Sequence, residues 1–319
     1  MAKYVVLVTA RSFGTADNKA VELLEANGCE VRKLVQADGP IPEQLSRELP
    51  GADAVIAGLE DYSRELIESS EKLKVISRYG VGYDKVDLKA AADRRIAVTI
   101  TPGANGDSVA DLAVALMMDC ARNVTVMDNG IKNRNQVRPS GLEMWEKTLG
   151  IVGAGRIGKG VARRCRGFRM NILCYDQYQD TKFAEECQAQ YVDFDTLIRE
   201  SDFITIHSPL TEETRNLFSR EQFLAMKKDA VLVNTARGGI VDEEALYEAL
   251  KSGEIRAAAL DATVDEPPYD SPLCTLSNCI LTPHAGAATR EASSRMSLMA
   301  AQNVLDILQT GVCRYAVKE

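Results

Sequence analysis

The sequence predicts an α/β protein built on parallel sheets, and three observations support this prediction. Short apolar runs alternate with helical patterns over residues 4–100. The same alternation restarts at Thr148 and continues nearly to the end of the chain. A length of 319 residues favours two domains over one. Alternating strands and helices imply parallel strands joined by right-handed crossovers.

The predicted elements follow in order. A strand at 4–9 precedes a helix at 15–27, with Thr15 as candidate N-cap and Gly28 as the stop. A helix at 108–121 is apolar on most sides, which is typical of a buried helix, and a polar stretch at 129–139 predicts a surface loop or a frayed helix end. A last helix at 289–309 is closed by Gly311. Strands are predicted at 30–34, 53–58, 73–78, 96–100, 148–152, 170–175, 202–207, 230–234, 257–260 and 280–282.

Composition narrows the classes of function. The net charge of −8 and the pI near 5.1 argue against nucleic acid as the main partner. No apolar run reaches the roughly 18 residues of a membrane span, and the start lacks the pattern of a signal peptide, so we expect a cytoplasmic protein. The eight cysteines form no CxxC pair, as expected of reduced core residues. Since His207 and His284 are the only histidines, we expect no metal site.

A glycine-rich motif predicts a dinucleotide site. Gly153, Gly155 and Gly158 form a GxGxxG pattern that follows the strand at 148–152 and opens a helical pattern. Gly153 permits a tight turn, Gly155 lets the backbone approach a pyrophosphate, and Gly158 lets helix and strand pack closely. The helix N-terminus adds free N–H groups and partial positive charge.

The acidic residue after the next strand predicts the kind of dinucleotide. Asp176 directly follows the strand at 170–175. It comes 18 residues after Gly158, close to the spacing of about 20 residues that is typical of a ribose-binding carboxylate. Such a carboxylate accepts hydrogen bonds from both ribose hydroxyls and repels a 2′-phosphate. Because Gln177 and Tyr178 follow with no adjacent arginine, we expect NAD rather than NADP.

Three later segments each place a reactive residue after a predicted strand. Arg237 lies in a loop with two following glycines, Glu266 precedes two prolines, and His284 stands beside small residues. A guanidinium can grip a substrate carboxylate with two parallel hydrogen bonds. A histidinium can protonate the alkoxide that forms when hydride reaches a ketone carbon, and a carboxylate on its other nitrogen fixes the tautomer. This set predicts reduction of a 2-oxo acid.

Each of these residues also has a plainer interpretation. Arg237 suits a surface ion pair, Glu266 a loop carboxylate, and His284 a loop histidine with satisfied hydrogen bonds. For His207, which ends the strand at 202–207, we expect a structural or cofactor-edge role.

Seven segments in this order resemble the D-isomer-specific 2-hydroxyacid dehydrogenase family, with the phosphoglycerate dehydrogenase branch nearest. They are SRYGVGYD at 77–84, TPGAN at 101–105, KTLGIVG at 147–153, HSPL at 207–210, NTARGG at 234–239, DEPP at 265–268 and PHAG at 283–286. The resemblance implies a Rossmann NAD-binding domain at 101–285, inserted into a smaller flavodoxin-like substrate domain at 1–100 plus 286–319. It also implies a homodimer formed through the cofactor domain.

The resemblance assigns roles to individual residues. Arg237 would orient the substrate, and Glu266 and His284 would form the acid/base pair. It implies further substrate contacts from Arg78, Val81, Gly82 and Asn105. It implies further NAD contacts from Gly153, Gly155, Arg156, Ile157, Gly158, Asp176, His207, Ser208, Pro209, Thr214, Thr235, Ala236, Asp261, His284 and Gly286.

Departures from the family pattern leave the substrate open. Where phosphoglycerate enzymes often present an arginine, residues 57–60 are Ala-Gly-Leu-Glu, so a phosphate would lose one cation and face a carboxylate. The chain ends soon after its last predicted helix, so we expect no serine-sensing domain. Three substrates stay open, namely 3-phosphoglycerate, glyoxylate or hydroxypyruvate, and another small anionic 2-hydroxy acid.

Two other functions compete with this one. An NAD(H)-sensing binding protein would keep the same fold without physiological turnover. A formate dehydrogenase would not need the Glu266–His284 pair, because formate has no ketone to protonate.

Overall fold

The computed structural model describes residues 3–317. Residues 1–2 and 318–319, which the prediction assigns to the substrate domain, lie outside the described part. The chain divides into two compact units. The first comprises Met1–Asn105 and Ala287–Glu319, and the second is the continuous segment Gly106–Gly286 between them.

Each unit contains one parallel sheet, as the alternation of elements predicts. The first has five strands, β1 (Tyr4–Val8), β2 (Cys29–Lys33), β3 (Ala54–Ala57), β4 (Val75–Arg78) and β5 (Ala97–Thr99), in the order β2-β1-β3-β4-β5. The second has seven, β6 (Thr148–Val152), β7 (Asn171–Tyr175), β8 (Ala189–Tyr191), β9 (Phe203–Ile206), β10 (Val231–Asn234), β11 (Ala257–Leu260) and β12 (Cys279–Leu281). Their order is β12-β11-β10-β9-β6-β7-β8, and every pairing is parallel.

These strand orders identify the two architectures. The first sheet has the 2-1-3-4-5 order of flavodoxin-like folds, and the second has the doubly wound Rossmann order extended by one edge strand. Every residue of β3, β4, β9, β10 and β11 is buried, because helices cover both faces of a parallel sheet. The predicted fold class is therefore confirmed.

The helices connect the strands and cover the sheets. In chain order they are α1 (Lys19–Ala26), α2 (Ile41–Glu48), α3 (Arg64–Glu68), α4 (Leu88–Asp93), α5 (Gly106–Arg122), α6 (Val124–Lys132), α7 (Arg156–Cys165), α8 (Thr181–Cys187), α9 (Phe194–Glu200), α10 (Arg220–Ala225), α11 (Glu243–Ser252) and α12 (Arg290–Thr310). In the second unit, α5 buries residues such as Ala113 and Met117 against the sheet. In the first unit, α12 packs Ala300, Ala301 and Val304 into the core that contains β1 and β3.

Capping residues explain where the last helix starts and stops. The Thr289 side chain accepts a hydrogen bond from the Ala292 N–H (3.1 Å), and Gly311 follows the helix with a φ of 76°. A left-handed residue of this kind closes a helix and suits glycine. Thus α12 spans Arg290–Thr310, within one residue of the predicted bounds at both ends.

The predicted start of the first helix is wrong. The Thr15 hydroxyl donates to the Ser12 carbonyl (2.8 Å) instead of accepting from the helix, and α1 begins at Lys19 with Asn18 as the N-cap residue. The polar stretch at 129–139 is part helix, since α6 continues to Lys132 before the chain becomes irregular. None of the helices in residues 3–317 combines the length and apolar character that a membrane span requires.

Candidate active site

The carboxyl edge of the seven-stranded sheet gathers the residues that the sequence singles out. Gly153 follows β6, Asp176 follows β7, and His207 follows β9. Arg237 lies beyond β10, Glu266 beyond β11 and His284 beyond β12. Because β10, β11 and β12 are neighbours, their loops open at one end of the sheet. Ligands of open α/β sheets bind at this edge.

The glycine loop after β6 has the geometry that its motif predicts. Gly153 has a φ of 92°, and a Cβ on it would lie 2.7 Å from the Ser208 nitrogen. A Cβ on Gly158 would lie 2.2 Å from the Gly153 oxygen, so helix and loop require glycine there. A Cβ on Gly155, in contrast, meets nothing within 4 Å. The backbone at Gly155 is therefore open to a ligand at the start of α7.

The loops after β6 and β9 meet where the strand order reverses. β7 lies on one side of β6 and β9 on the other, which makes this the switch point of the sheet. The Ser208 hydroxyl is buried here and has no hydrogen-bond partner among residues 3–317. An unsatisfied buried hydroxyl costs free energy, so a ligand that supplied a partner would be favoured.

Asp176 holds the end of β7 to the glycine loop. Its Oδ2 accepts from the Ala154 N–H (2.7 Å), and its Oδ1 accepts from the Tyr178 N–H (2.8 Å). Each carboxylate oxygen can accept a second hydrogen bond. The half-buried side chain therefore keeps capacity for a ribose beside the loop.

His207 is held between two threonine hydroxyls. Its Nε2 lies 2.9 Å from Thr205 Oγ1, and its Nδ1 lies 3.3 Å from Thr235 Oγ1. Desolvation lowers the pKa of His207 from its ordinary 6.5 to about 3, so the ring is neutral near pH 7. The structure places this histidine in a fixed, uncharged position at the switch point.

The loop that carries Arg237 is shaped by its neighbours. The Asn234 side chain accepts from the Ala236 N–H (3.0 Å) and donates to the Arg237 carbonyl (2.8 Å). A Cβ on Gly238 would lie 2.1 Å from the Thr263 carbonyl oxygen, so only glycine lets the two loops approach. The guanidinium donates to the Ala236 carbonyl through Nη1 (2.8 Å), and the side chain is half-buried.

Glu266 and His284 form a close pair. His284 Nδ1 lies 2.9 Å from Glu266 Oε1, and the two side chains are 26 % and 23 % exposed. The Nε2 atom of His284 makes no hydrogen bond with any residue of the described chain. His284 has a φ of 52°, an uncommon conformation for a residue other than glycine that is often found at functional sites. One nitrogen is thus anchored and the other is left for a ligand.

Asp261 organises the loop around His284, a contact that the sequence does not reveal. Its Oδ1 accepts from Thr282 Oγ1 (2.6 Å) and from the Ala285 N–H (2.7 Å), and its Oδ2 accepts from the Gly286 N–H (2.8 Å). The residue is 3 % exposed. The resemblance implies an NAD contact for Asp261, whereas its hydrogen bonds to the loop around His284 had no signal in the sequence.

The predicted substrate residues lie in the first unit. Arg78 is only 6 % exposed, and its guanidinium donates to backbone carbonyls of Ala57, Gly58 and Gly82. Val81 is 37 % exposed in the loop after β4, next to Gly82. Asn105 is half-buried at the end of the segment before the second unit. In the structure Arg78 therefore braces the loop that carries Val81 and Gly82.

Comparison with known proteins decides the family. The model described as "D-isomer specific 2-hydroxyacid dehydrogenase, NAD binding domain" matches residues 114–286. The chain belongs to this family. The second unit is its NAD-binding domain, since the matched residues lie within Gly106–Gly286.

Individual known proteins resemble the chain along most of its length. A D-3-phosphoglycerate dehydrogenase from Methanocaldococcus jannaschii is 44 % identical over 91 % of this chain, which spans 55 % of that protein. A glyoxylate reductase from Korarchaeum cryptofilum is 42 % identical over 83 % of the chain and 82 % of its own length. The crystal structure of the TT0316 protein from Thermus thermophilus superposes with a TM-score of 0.88 at 36 % identity, covering 98 % of this chain and 100 % of that one.

The residues at the carboxyl edge of the seven-stranded sheet fit NAD, the dinucleotide named in the description of the family. The backbone at Gly155 is open and would suit a pyrophosphate, and the half-buried carboxylate of Asp176 would suit a ribose. The Ser208 hydroxyl, which has no hydrogen-bond partner among residues 3–317, would suit a polar group. Arg156 is exposed and Ile157 half-buried at the start of α7. The other predicted contacts, namely Pro209, Thr214, Thr235, Ala236 and Gly286, lie on loops at the same edge. Within residues 3–317, no group of three or more His, Cys, Asp or Glu side chains is arranged to hold a metal ion.

Proposed function

We propose that this chain interconverts a 2-oxo acid and a D-2-hydroxy acid with NAD(H). The observation that carries the proposal is the Glu266–His284 pair, held 2.9 Å apart at the sheet edge that also bears Arg237 and the dinucleotide loop. The chain spans about half the length of the first curated relative, so the activity is argued from its own residues.

Arg237 orients the substrate in this proposal. Its guanidinium pairs with the carboxylate of the 2-oxo acid and turns C2 toward the cofactor. The proposed substrate contacts of the first unit are the backbone N–H groups at Val81 and Gly82 and the side chain of Asn105. Arg78 acts by bracing the loop that carries Val81 and Gly82.

His284 supplies the proton. When bound, NADH supplies the hydride that adds to C2 of the substrate. His284 Nε2 donates its proton to the C2 oxygen, so the C=O double bond becomes an alcohol. Glu266 holds Nδ1 and keeps the ring in the donating orientation. In the reverse direction His284 takes the proton back from the hydroxyl.

We also propose that Asp176 gives the chain a preference for NAD over NADP. A 2′-phosphate would meet the Asp176 carboxylate, and Tyr178, whose N–H binds that carboxylate, is itself exposed and uncharged. The first unit would act as the substrate domain and the second as the cofactor domain.

The proposed assembly is a cytoplasmic homodimer formed through the cofactor domain. Val124 and Ile131 on α6 are 55 % and 66 % exposed, and Trp145 is 47 % exposed, so this unit presents apolar surface that a second copy could cover. All eight cysteines are free, which agrees with a reducing compartment. Sedimentation analysis would establish the oligomeric state.

The reaction is tested by following NADH oxidation with a panel of 2-oxo acids, and NAD reduction with D- and L-2-hydroxy acids. We expect turnover with the D isomer only. Substitution His284→Gln should lower kcat by about 10²–10⁴-fold while NADH still binds, because one proton transfer is lost. Tight NADH binding without turnover of any acid by the wild-type chain would refute the enzyme assignment and favour a sensor.

A further inference from the structure

The first unit has a switch point of its own, between β1 and β3. From β1 the chain crosses to β2 on one side of the sheet, whereas β3 lies on the other side. In flavodoxin-like sheets of this order, ligands bind outside the carboxyl ends of these two strands. This switch point lies between the segments that follow Val8 and Ala57.

The carboxylate of Glu60 is held at this switch point by Thr9. Thr9 Oγ1, directly after β1, donates to Glu60 Oε2 at 2.6 Å, and accepts from the Gly58 N–H at 2.8 Å. A Cβ on Gly58 would lie 2.8 Å from Glu60 Oε2 and 3.1 Å from the Thr9 carbonyl oxygen, so a side chain there would push the Glu60 carboxylate away from Thr9. Glu60 is half-buried, and Thr9 is its hydrogen-bonding partner among the described residues. Its second oxygen has acceptor capacity for a ligand.

Arg78 joins this segment to the proposed carboxylate-binding loop. Its Nη1 donates to the Ala57 carbonyl (3.2 Å) and to the Gly58 carbonyl, and its Nε donates to the Gly82 carbonyl (2.9 Å). One guanidinium therefore ties residues 57–58 to residue 82. The segment that carries Glu60 is therefore held beside the loop that would bind the substrate carboxylate.

Within residues 3–317 Glu60 forms no ion pair, so no cation neutralises its charge by direct contact. Tyr62 is fully buried, and burial raises the pKa of its phenol, so the group stays neutral. The guanidinium of Arg78 is buried against backbone carbonyls. Arg11, on the segment after β1, is exposed, while Lys33 donates to the backbone carbonyls of Arg11 and Phe13.

From this geometry we propose that Glu60 determines substrate specificity by reading the distal end of the 2-oxo acid. It accepts a hydrogen bond from a hydroxyl or ammonium group there and repels a phosphate. The preferred substrate is thus a short, unphosphorylated 2-oxo acid with a hydrogen-bond donor at its distal end. This inference rests on the proposed oxidoreductase function and narrows its substrate class.

The test compares hydroxypyruvate, 3-phosphohydroxypyruvate and pyruvate as substrates of the wild-type chain with NADH. We expect kcat/KM for hydroxypyruvate to exceed that for the phosphorylated acid by at least about tenfold, since like charges a few Å apart in a half-buried site repel strongly. Substitution Glu60→Gln keeps the shape and removes the charge. It should reduce that ratio by about tenfold or more, mainly through a lower KM for the phosphorylated acid.

A matched variant controls for the loss of one negative charge. Glu65 is exposed on α3 of the same unit, and Glu65→Gln should leave the ratio within about twofold of wild type. A wild-type preference for the phosphorylated acid would overturn the proposal. So would a Glu60→Gln ratio no different from that of Glu65→Gln.

The experiments distinguish a failure of the proposed oxidoreductase function from a failure of the proposed role of Glu60 in substrate specificity. If no 2-oxo acid is turned over, the oxidoreductase function is refuted, and calorimetric titration of the NAD-loaded chain with D-glycerate and 3-phosphoglycerate then tests Glu60 directly. Weaker binding of the phosphorylated acid, reversed by Glu60→Gln, would support the role of Glu60. Tighter binding of the phosphorylated acid by the wild-type chain would contradict it.

Discussion

The two histidines of the chain occupy environments that suit different tasks. His284 pairs with a carboxylate through Nδ1, and its other nitrogen has no hydrogen-bond partner in the described residues. Its left-handed backbone costs on the order of 1–3 kcal/mol, which the surrounding loop must offset. Within residues 3–317, His207 forms its side-chain hydrogen bonds with two uncharged hydroxyls, and desolvation keeps the ring neutral near pH 7. These environments support the proposed proton-donating role of His284 and a structural role for His207 beside the proposed cofactor site.

The lowered pKa of His207 predicts a loss of stability in acid. The unfolded chain binds a proton at His207 below pH 6.5, whereas the folded chain does so only near pH 3. Between these values the unfolded state binds more protons, so the free energy of unfolding should fall as the pH falls, by at most about 1.4 kcal/mol per pH unit. Denaturant unfolding of the wild-type chain and His207→Asn from pH 7.5 to 4 would measure this, and the variant should show the weaker pH dependence. Parallel pH profiles for the two proteins would contradict the predicted pKa shift.

Asp261 shows what sequence could and could not tell at this scale. The residue types and spacing of Arg237, Glu266 and His284 predict a reaction, because each type has a narrow chemical use. The partners of Asp261 lie 21 to 25 residues away on the next strand's loop, and only the register of β11 against β12 brings them together. Arg78 is similar, since its burial against three carbonyls depends on the loops around it.

At the scale of elements, the loop after β12 is the part on which the proposed chemistry depends most. It carries His284 and is held to Asp261, at the end of β11, by the Thr282 hydroxyl and by two backbone N–H groups. A misplacement of a catalytic group by about 1 Å can cost about 10²-fold in rate. Thr282 belongs to this loop and donates one of the hydrogen bonds to Asp261. Its substitution can therefore test whether these bonds position His284, while the carboxylate of Asp261 stays in place.

Substitution Thr282→Val should lower kcat by about ten- to a hundredfold, because the loop loses one charge-assisted hydrogen bond while its volume is kept. Thr282→Ser, which restores the hydroxyl, should stay within about twofold of wild type. The dissociation constant for NADH should change little in both, as measured by fluorescence titration. Thr275→Val, which removes an exposed hydroxyl that bonds the Pro272 carbonyl, is the matched control and should be silent. Equal activities of the valine and serine variants at 282 would argue against a positioning role.

The periodic patterns located most strands within one or two residues, because apolar runs of parallel strands are short and sharply bounded. Helix starts were harder to predict. Thr15 has the right chemistry for an N-cap, yet the segment before α1 folds into turns whose Ser12 carbonyl accepts from Thr15 and from Ser293. A tertiary contact with α12 thus sets where α1 begins. The short edge strand β8 carries only one buried residue and gave no apolar signal.

At the scale of the whole molecule, the two units share one arrangement of strands. Each is a parallel sheet whose switch point lies at the carboxyl ends of its strands, with Thr9 and Glu60 at one and Gly153 and Ser208 at the other. Each unit also has its own buried apolar clusters, so neither depends on the other for a core. The second unit is one continuous segment, whereas the first is made from two.

This organisation predicts that residues 106–286 fold on their own and bind NADH without catalysing turnover. The segment contains the complete seven-stranded sheet, two apolar clusters and all of the dinucleotide loop. It lacks Val81 and Gly82, which the proposed mechanism needs for the substrate carboxylate. Circular dichroism with thermal unfolding would report a cooperative fold, and calorimetry would report NADH binding.

The fragment also isolates the cofactor contacts from those of the substrate. Asp176→Ala in the fragment should weaken NADH binding and narrow the difference between NADH and NADPH, since the ribose loses its acceptor and a 2′-phosphate loses the opposing charge. Turnover by the fragment alone would show that the first unit is not needed for substrate. A fragment that is unfolded, or folded without affinity for NADH, would show that the second unit is not an autonomous cofactor domain.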